Sequence, residues 1–252
     1  MTRTDTVALA LVAFALLTMP VFAALRARGR PVDADVARRP ATILLGFWIR
    51  DWVMWVIGPI ERALVRTGVS PDFFNLLGAV FGLAAGAAFA RGALPLAGWL
   101  VLLGGCADIF DGRIARARGI ASPYGAFLDS TLDRFAETFA FMGLAWYVSP
   151  SPLAVLAAAL ALGGSMLVSY TRARGESLGV VCRGGIMQRA ERLVLLALAA
   201  LLDPPVTTAL GWRPSALLLT AVTVIGAGSF ATAVYRTGAI ARALRAGAVR
   251  TA

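Results

Sequence analysis

The sequence predicts an all-α, polytopic membrane protein: a six-helix transmembrane core preceded by an interfacial amphipathic helix and one extra N-terminal transmembrane helix. Of its 252 residues, 59% are hydrophobic and only 15% are charged, whereas soluble domains carry about 25% charged residues. Apolar runs recur along the chain, and each is long enough to cross a hydrocarbon core of about 30 Å. All 24 basic residues are arginine, and they cluster between these runs. This composition disfavours a soluble globular enzyme and excludes a disordered chain.

Residues 1–41 are predicted to form a transmembrane helix and a basic linker. Residues 6–25 carry no charge, and five arginines follow between residues 26 and 39. By the positive-inside rule these arginines place the end of the helix in the cytoplasm. A cleaved signal peptide is the alternative, but only Arg3 and Asp5 precede the apolar run, so the usual basic start is weak.

Residues 42–67 are predicted to form the interfacial amphipathic helix. Trp48, Trp52 and Trp55 alternate there with charged residues, among them Arg50 and Asp51. A helix that lies in the membrane interface combines such aromatic and charged residues. Another spanning helix is disfavoured, because it would place a charged pair in the middle of the hydrocarbon.

Residues 68–236 are predicted to be the catalytic core, and residues 237–252 a basic cytoplasmic tail. Breaker residues such as Asp203-Pro204-Pro205 separate the apolar runs. The six predicted spans are 73–90, 94–115, 124–147, 152–172, 190–203 and 214–235. This topology leaves every arginine except Arg3, Arg91 and Arg213 on the cytoplasmic side, as expected for a multi-pass protein of the cell inner membrane whose active site faces the cytoplasm.

Glycine recurs every four residues in the first core span, at Gly78, Gly82 and Gly86. Small residues at this spacing form a face on which two membrane helices pack closely. We interpret this face as a packing surface with no chemical role.

Five acidic residues lie inside otherwise apolar spans, and they are the chemical signal in this sequence. They are Asp108, Asp111, Asp129, Asp133 and Glu137. An ionised side chain at membrane depth costs at least about 2.5–3.5 kcal/mol, so five of them require compensation. The aspartates pair on helix faces at i, i+3 and i, i+4, and a short connection makes their two helices antiparallel neighbours.

Converging carboxylates predict a site for divalent cations. The chain has no histidine and only Cys106 and Cys182, which excludes a zinc or haem ligand set. Oxygen ligands alone select a hard cation such as Mg²⁺, Mn²⁺ or Ca²⁺.

Small and basic residues surround the aspartates in a way that suits a phosphate ligand. Gly112, Ala115 and Gly125 lie on the same helix faces and open a slot beside the carboxylates. Arg116, with Arg113 and Arg118 beside it, supplies positive charge at the mouth. Carboxylate-held metal next to arginines indicates phosphoryl chemistry at a membrane surface.

This stretch resembles the signature of the CDP-alcohol phosphatidyltransferase family. Eight residues occur at the family's spacing over about residues 108–133, and the resemblance extends over residues 42–235. The eight are Asp108, Asp111, Gly112, Ala115, Arg116, Gly125, Asp129 and Asp133. Residues 1–41 lie outside the resemblance, and the extra first span departs from the family's usual layout.

The resemblance implies a reaction in which an alcohol oxygen attacks the lipid-side phosphorus of CDP-diacylglycerol and CMP leaves. It implies two divalent cations, Mg²⁺ or Mn²⁺, held by Asp108, Asp111 and Asp129, with Asp133 near the second cation and acting as general base. The residues implied to line the CDP-lipid site are Asp72, Asn75, Gly112, Ala115, Arg116, Ser122 and Gly125. Asn75 stands where the family more often has threonine.

The residues after Asp129 resemble the family members that use inositol phosphate and make phosphatidylinositol phosphate. The chain has Ser130 after Asp129 and Arg134 after Asp133, whereas glycerol-phosphate users tend to have proline and lysine at these positions. A phosphorylated polyol is an anion that several arginine side chains would bind. The resemblance implies an acceptor site made of Arg172, Arg174, Arg189 and Arg192, although these arginines also suit a plain cytoplasmic loop.

Two alternatives stay open from the sequence alone. The same chemistry could use glycerol 3-phosphate or another polyol as acceptor. A cation transporter could use the acids as an ion pathway, but no inverted repeat is visible. Nucleic acid is not an expected partner, since the hydropathy assigns the basic charge to the bilayer, and homodimers are common among similar proteins.

Overall fold

The protein is all-α, and the computed structural model describes residues 3–37 and 45–247, without the side chains of residues 3–5 and 7–12. The described part contains nine helices. They are α1 (Arg3–Ala27), α2 (Ala34–Ala37), α3 (Gly46–Thr67), α4 (Pro71–Ala90), α5 (Leu94–Ala117), α6 (Pro123–Tyr147), α7 (Pro152–Ser177), α8 (Arg189–Leu210) and α9 (Ala216–Arg245).

Five of the described helices are long and apolar enough to cross a membrane: α4, α5, α7, α8 and α9. The sixth core helix, α6, falls outside this group because it carries Asp129, Asp133, Arg134 and Glu137. The protein is therefore a multi-pass membrane protein with one strongly charged core helix. Helix α1 runs from Arg3 to Ala27, and its role as a span stays a prediction.

Helix α4 packs along both α5 and α6. Its glycines allow this: Gly78 faces Gly104 of α5, and Gly82 and Gly86 lie against the α6 backbone at Ala136 and Phe139. The predicted packing face is therefore present. Helices α5 and α6 were predicted to be antiparallel neighbours; they contact each other directly only to a small extent, because α4 packs against both of them.

Helices α8 and α9 extend furthest beyond their predicted ends. Helix α8 runs through Pro204 and Pro205 to Leu210, where the sequence predicted a stop at residue 203. Its last turns are held by packing, and Asp203, which is 2% exposed, accepts hydrogen bonds from the backbone N–H groups of Ser215 (2.9 Å) and Leu218 (3.0 Å). This carboxylate caps α9, which continues to Arg245 and makes the start of the predicted tail helical.

The N-terminal helices pack against α3. The ring of Phe22 is buried against Trp48 and Trp55, with centroid distances of 5.4 and 5.7 Å. Asp51, which is 1% exposed, accepts a 2.9 Å hydrogen bond from the backbone N–H of Asp33 and pairs with Arg30 at 3.3 Å. Asp51, in the second turn of α3, therefore anchors the linker, defined here as residues 28–37.

Candidate active site

Three of the four predicted metal ligands meet where α5 and α6 converge. One carboxylate oxygen from each of Asp108, Asp111 and Asp129 lies within 4.8 Å of the others. Asp111 Oδ2 and Asp129 Oδ1 are buried and have no hydrogen-bond partner among the described residues. Buried carboxylate oxygens without a partner are costly in a protein interior, and oxygen donors are the ligands that Mg²⁺ and Mn²⁺ prefer. The residues present therefore fit a divalent cation.

Arg189 enters this cluster from the first turn of α8. Its Nη1 atom is 2.7 Å from Asp108 Oδ2, and its Nη2 atom is 2.6 Å from Asp133 Oδ1. One guanidinium thus joins α8 to both acid-bearing helices and neutralises part of their charge. The sequence placed Arg189 in the predicted acceptor site, and the structure places it in contact with Asp108 and Asp133 of the predicted metal site.

Asp133 does not belong to the three-carboxylate group in this structure. Its two oxygens contact Arg189 at 2.6 Å and Arg134 at 3.8 Å. Its side chain is 16% exposed and lies one helical turn beyond Asp129 on α6. Asp133 therefore lies beside the three-carboxylate group and is linked to it through Arg189, which also contacts Asp108.

The predicted acceptor role of Arg192 is not supported by its surroundings. Arg192 is 1% exposed and pairs with Glu137 through Nε (2.6 Å) and Nη2 (3.1 Å). Ser165 donates a 2.6 Å hydrogen bond to the same carboxylate. This buried network joins α6, α7 and α8 one turn away from the contact between Asp133 and Arg189. Sequence reasoning identified both charges but could not pair them, since they are far apart in the chain.

The residues predicted to bind the CDP group lie around the end of α5 and the start of α6. Ser122 caps α6 by accepting a 3.1 Å hydrogen bond from the N–H of Gly125. A methyl group on Gly112 would lie 3.0 Å from the guanidinium of Arg116, so glycine leaves room for that side chain. Arg116 itself donates to Asp35 of the linker at 2.8 Å. Ala115 is half-buried beside it.

Arg113 is surrounded by acids that the sequence did not associate with the site. Its Nη1 and Nη2 atoms bind the two oxygens of Asp33 at 3.1 and 3.0 Å, and its Nε binds Glu61 at 2.6 Å. Burial alone would raise the pKa of Asp33, but the hydrogen bonds and charge of Arg113 outweigh it and hold that pKa below its ordinary value. Arg113 therefore has a structural role, because it joins the linker and α3 to α5.

The turn before α4 lies next to the signature region. Ser70 caps α4 by accepting from the N–H of Asp72, and Arg118, just after α5, donates to the carbonyl of Val69 at 3.0 Å. Asn75 is 7% exposed. The contact from Arg118 fixes the predicted nucleotide residues Asp72 and Asn75 relative to the end of α5.

The remaining acceptor candidates, Arg172 and Arg174, are exposed near the end of α7. Arg172 pairs with Glu176 at 2.9 Å, and Arg174 lies 3.5 Å from the hydroxyl of Ser177. Neither contact involves the acidic cluster. Sequence reasoning missed Arg236, which is 3% exposed and donates to the carbonyls of Gly184 and Val168, both at 2.8 Å. The sequence signal that could have identified Arg236 is its charge at the end of an apolar span.

Comparison with protein families gives an independent result. The family model described as CDP-alcohol phosphatidyltransferase matches residues 68–232. The chain is 40% identical over 181 residues to a phosphatidylinositol phosphate synthase of Streptomyces avermitilis, covering 68% of this chain and 74% of that protein. It is 37% identical over 142 residues to an archaetidylinositol phosphate synthase of Methanothermobacter thermautotrophicus, covering 56% and 71%.

Solved structures show the same similarity in three dimensions. A crystal structure of Mycobacterium tuberculosis phosphatidylinositol phosphate synthase with CDP-DAG bound superposes with a TM-score of 0.64 at 30% identity, covering 72% of this chain and 92% of that one. A second structure of that enzyme, in complex with manganese and citrate, also gives a TM-score of 0.64, with 87% of its chain covered.

Proposed function

The chain belongs to the CDP-alcohol phosphatidyltransferase family, and we propose that it transfers the phosphatidyl group of CDP-diacylglycerol to inositol phosphate and releases CMP. The observation that carries this proposal is the convergence of Asp108, Asp111 and Asp129 within 4.8 Å, on the spacing of the family signature. The acceptor follows from the relatives named above and from the Ser130 and Arg134 positions. The many arginines at this end of the helices support a site at the cytoplasmic face.

The nucleotide end of the substrate is assigned to the α5–α6 junction. Arg116 is 45% exposed and carries a guanidinium that can bind phosphate oxygens in pairs. Asp108, Asp111 and Asp129 would hold divalent cations, which when bound neutralise the pyrophosphate charge and stabilise departing CMP. Gly112 and Gly125 leave the slot in which the CDP group approaches the backbone.

Asp133 is assigned as the general base. It would accept the proton of the acceptor hydroxyl while the alcohol oxygen forms a bond to the lipid-side phosphorus and the bond from that phosphorus to CMP breaks. Its partly open carboxylate lies beside the cluster that binds the reacting phosphate, which is the geometry that a base requires.

Arg189 is the best-placed acceptor ligand among the four predicted arginines. It reaches Asp133 directly, so a phosphate bound to Arg189 would bring the acceptor hydroxyl near the base. A phosphorylated acceptor would also draw the guanidinium away from Asp133 and free its oxygen for the proton. Arg172 and Arg174 stay proposed as outer contacts, while Arg192 is reassigned to holding α8 against α6.

A turnover assay with purified full-length protein tests the proposal. CMP release should require CDP-diacylglycerol, a divalent cation and inositol phosphate together, and glycerol 3-phosphate supplied at the same concentration should be a poor substitute. Preferential use of glycerol 3-phosphate would overturn the acceptor assignment alone. An absence of CMP release with either acceptor would overturn the proposed reaction.

A further inference from the structure

The linker lies over the nucleotide-binding signature, although it precedes that signature by many residues and lies outside the matched range 68–232. Asp33 and Asp35, from one turn of chain, pair with Arg113 and Arg116 of α5. These arginines flank the slot that the proposed function assigns to CDP. An acidic segment contributed by the N-terminal region therefore occupies the phosphate-binding side of the site.

The first contact, between Asp33 and Arg113, is held by several hydrogen bonds. Asp33 is held by both Nη atoms of Arg113 and by its own N–H bond to the buried carboxylate of Asp51. Glu61 of α3 binds the same guanidinium at 2.6 Å. The side chains of Arg113 and Asp33 are only 15% and 17% exposed. These contacts attach the linker to α3 and α5 at one point.

The second contact, between Asp35 and Arg116, can be replaced by a contact between Arg116 and a phosphate. Asp35 and Arg116 share one close contact of 2.8 Å, and their side chains are 28% and 45% exposed. The same Asp35 oxygen lies 3.6 Å from Nη1 of Arg113, a longer contact. Partly exposed ion pairs such as these are weak. The pyrophosphate of a CDP-lipid carries two negative charges, one on each phosphate, against one on the Asp35 carboxylate, and its oxygens bind a guanidinium in the same paired geometry. It is therefore the stronger competitor for Arg116.

We propose that Asp35 is an intramolecular competitor of the substrate's phosphates: the linker, fixed at Asp33, acts as a latch whose Asp35 must leave Arg116 before CDP-lipid binds. This inference rests on the proposed function, because it requires Arg116 to be a phosphate ligand. The latch lowers the affinity for CDP-lipid in the resting protein and makes it depend on the N-terminal region.

A variant without the charge of Asp35 tests this proposal. In full-length protein, Asp35→Asn should lower the KM and the Kd for CDP-dioctanoylglycerol by about two- to fivefold, the range expected for a partly exposed ion pair, and leave the acceptor KM unchanged. The matched control is Glu176→Gln, which removes an acid from a similarly exposed arginine pair on α7 and should leave the CDP-lipid Kd unchanged.

A double-mutant cycle assigns the effect to the pair. Arg116→Gln should weaken CDP-lipid binding, and adding Asp35→Asn to it should change nothing further. An unchanged or increased Kd in Asp35→Asn, with normal turnover by the wild type, would overturn the latch and leave the transferase assignment standing. Absence of CDP-lipid binding by the wild type would overturn both.

Discussion

Individual charged residues in this protein show how ionised groups are tolerated at membrane depth. An isolated carboxylate there costs several kcal/mol, yet α6 alone carries three. Glu137 is compensated by Arg192, Asp133 by Arg189, and Asp129 keeps one buried oxygen without a partner. The uncompensated oxygens lie at the proposed metal-binding position, and the compensated carboxylates surround it.

Removing the carboxylate charge of Asp133 should separate its chemical role from binding. We expect Asp133→Asn to lower kcat by a factor of about 10²–10⁴, the usual contribution of a general base, because the amide cannot accept the acceptor's proton. The Kd for CDP-lipid should change little, since that ligand is assigned to other residues. Steady-state kinetics and a binding titration on the same preparation check both; a loss of binding with normal turnover of the remaining complex would contradict the assignment.

Breaking the buried pair between Glu137 and Arg192 should destabilise the protein. We expect Glu137→Gln to lower the free energy of unfolding by about 3–5 kcal/mol, because it leaves an arginine buried without its counter-charge. Glu176→Gln, which breaks an exposed pair, should cost about 0–1 kcal/mol. Thermal unfolding in detergent compares the two variants. Equal losses of stability would show that the buried pair contributes no more than the exposed pair.

At the level of helices, close approach of backbones determines where the acids meet. Helix α4 fits between α5 and α6 because its glycines remove side chains at the contacts. A methyl group on Gly86 would lie 2.8 Å from the carbonyl carbon of Phe139, whereas one on Gly163 would lie 4.0 Å from its nearest neighbour, the ring of Phe230. The two glycines therefore form a matched pair for testing helix packing.

We expect Gly86→Ala to destabilise the fold by about 1–3 kcal/mol through overpacking, and to reduce turnover by shifting α6 and its aspartates. Gly163→Ala should be neutral or slightly stabilising, since alanine is the better helix former. Melting temperature and CMP release measured on both variants check this. Comparable behaviour of the two would contradict the role of α4 as a close-packed spacer.

The sequence could predict the helices and the acids but not every boundary or pairing. Periodicity and breakers located six core helices, and the aspartate spacing located the site. Tertiary packing decided the rest: it carries α8 through Pro204 and Pro205, and places α4 between α5 and α6. The contacts of Arg192 with Glu137 and of Arg113 with Asp33 join distant parts of the chain, and no local pattern specifies such pairs.

For the molecule as a whole, the fold brings an oxygen-rich site to one end of a helical bundle and adds an N-terminal layer that touches it. Binding of a divalent cation at this site should therefore raise the free energy of unfolding. We expect Mn²⁺ at about 100 times its Kd to stabilise the wild type by about 2.7 kcal/mol, and Asp111→Asn to lose most of this gain. Melting curves with and without EDTA, at matched ionic strength, measure the difference; equal stabilisation of both proteins would place the metal elsewhere.

Anomalous scattering from crystals grown with MnCl₂ tests the central claim most directly, because it locates the metal without reference to activity. The account predicts an anomalous peak bound by Asp108, Asp111 and Asp129, with the guanidinium of Arg189 displaced from Asp108. A map without a peak among these carboxylates, with Arg189 still paired to both aspartates, would contradict it.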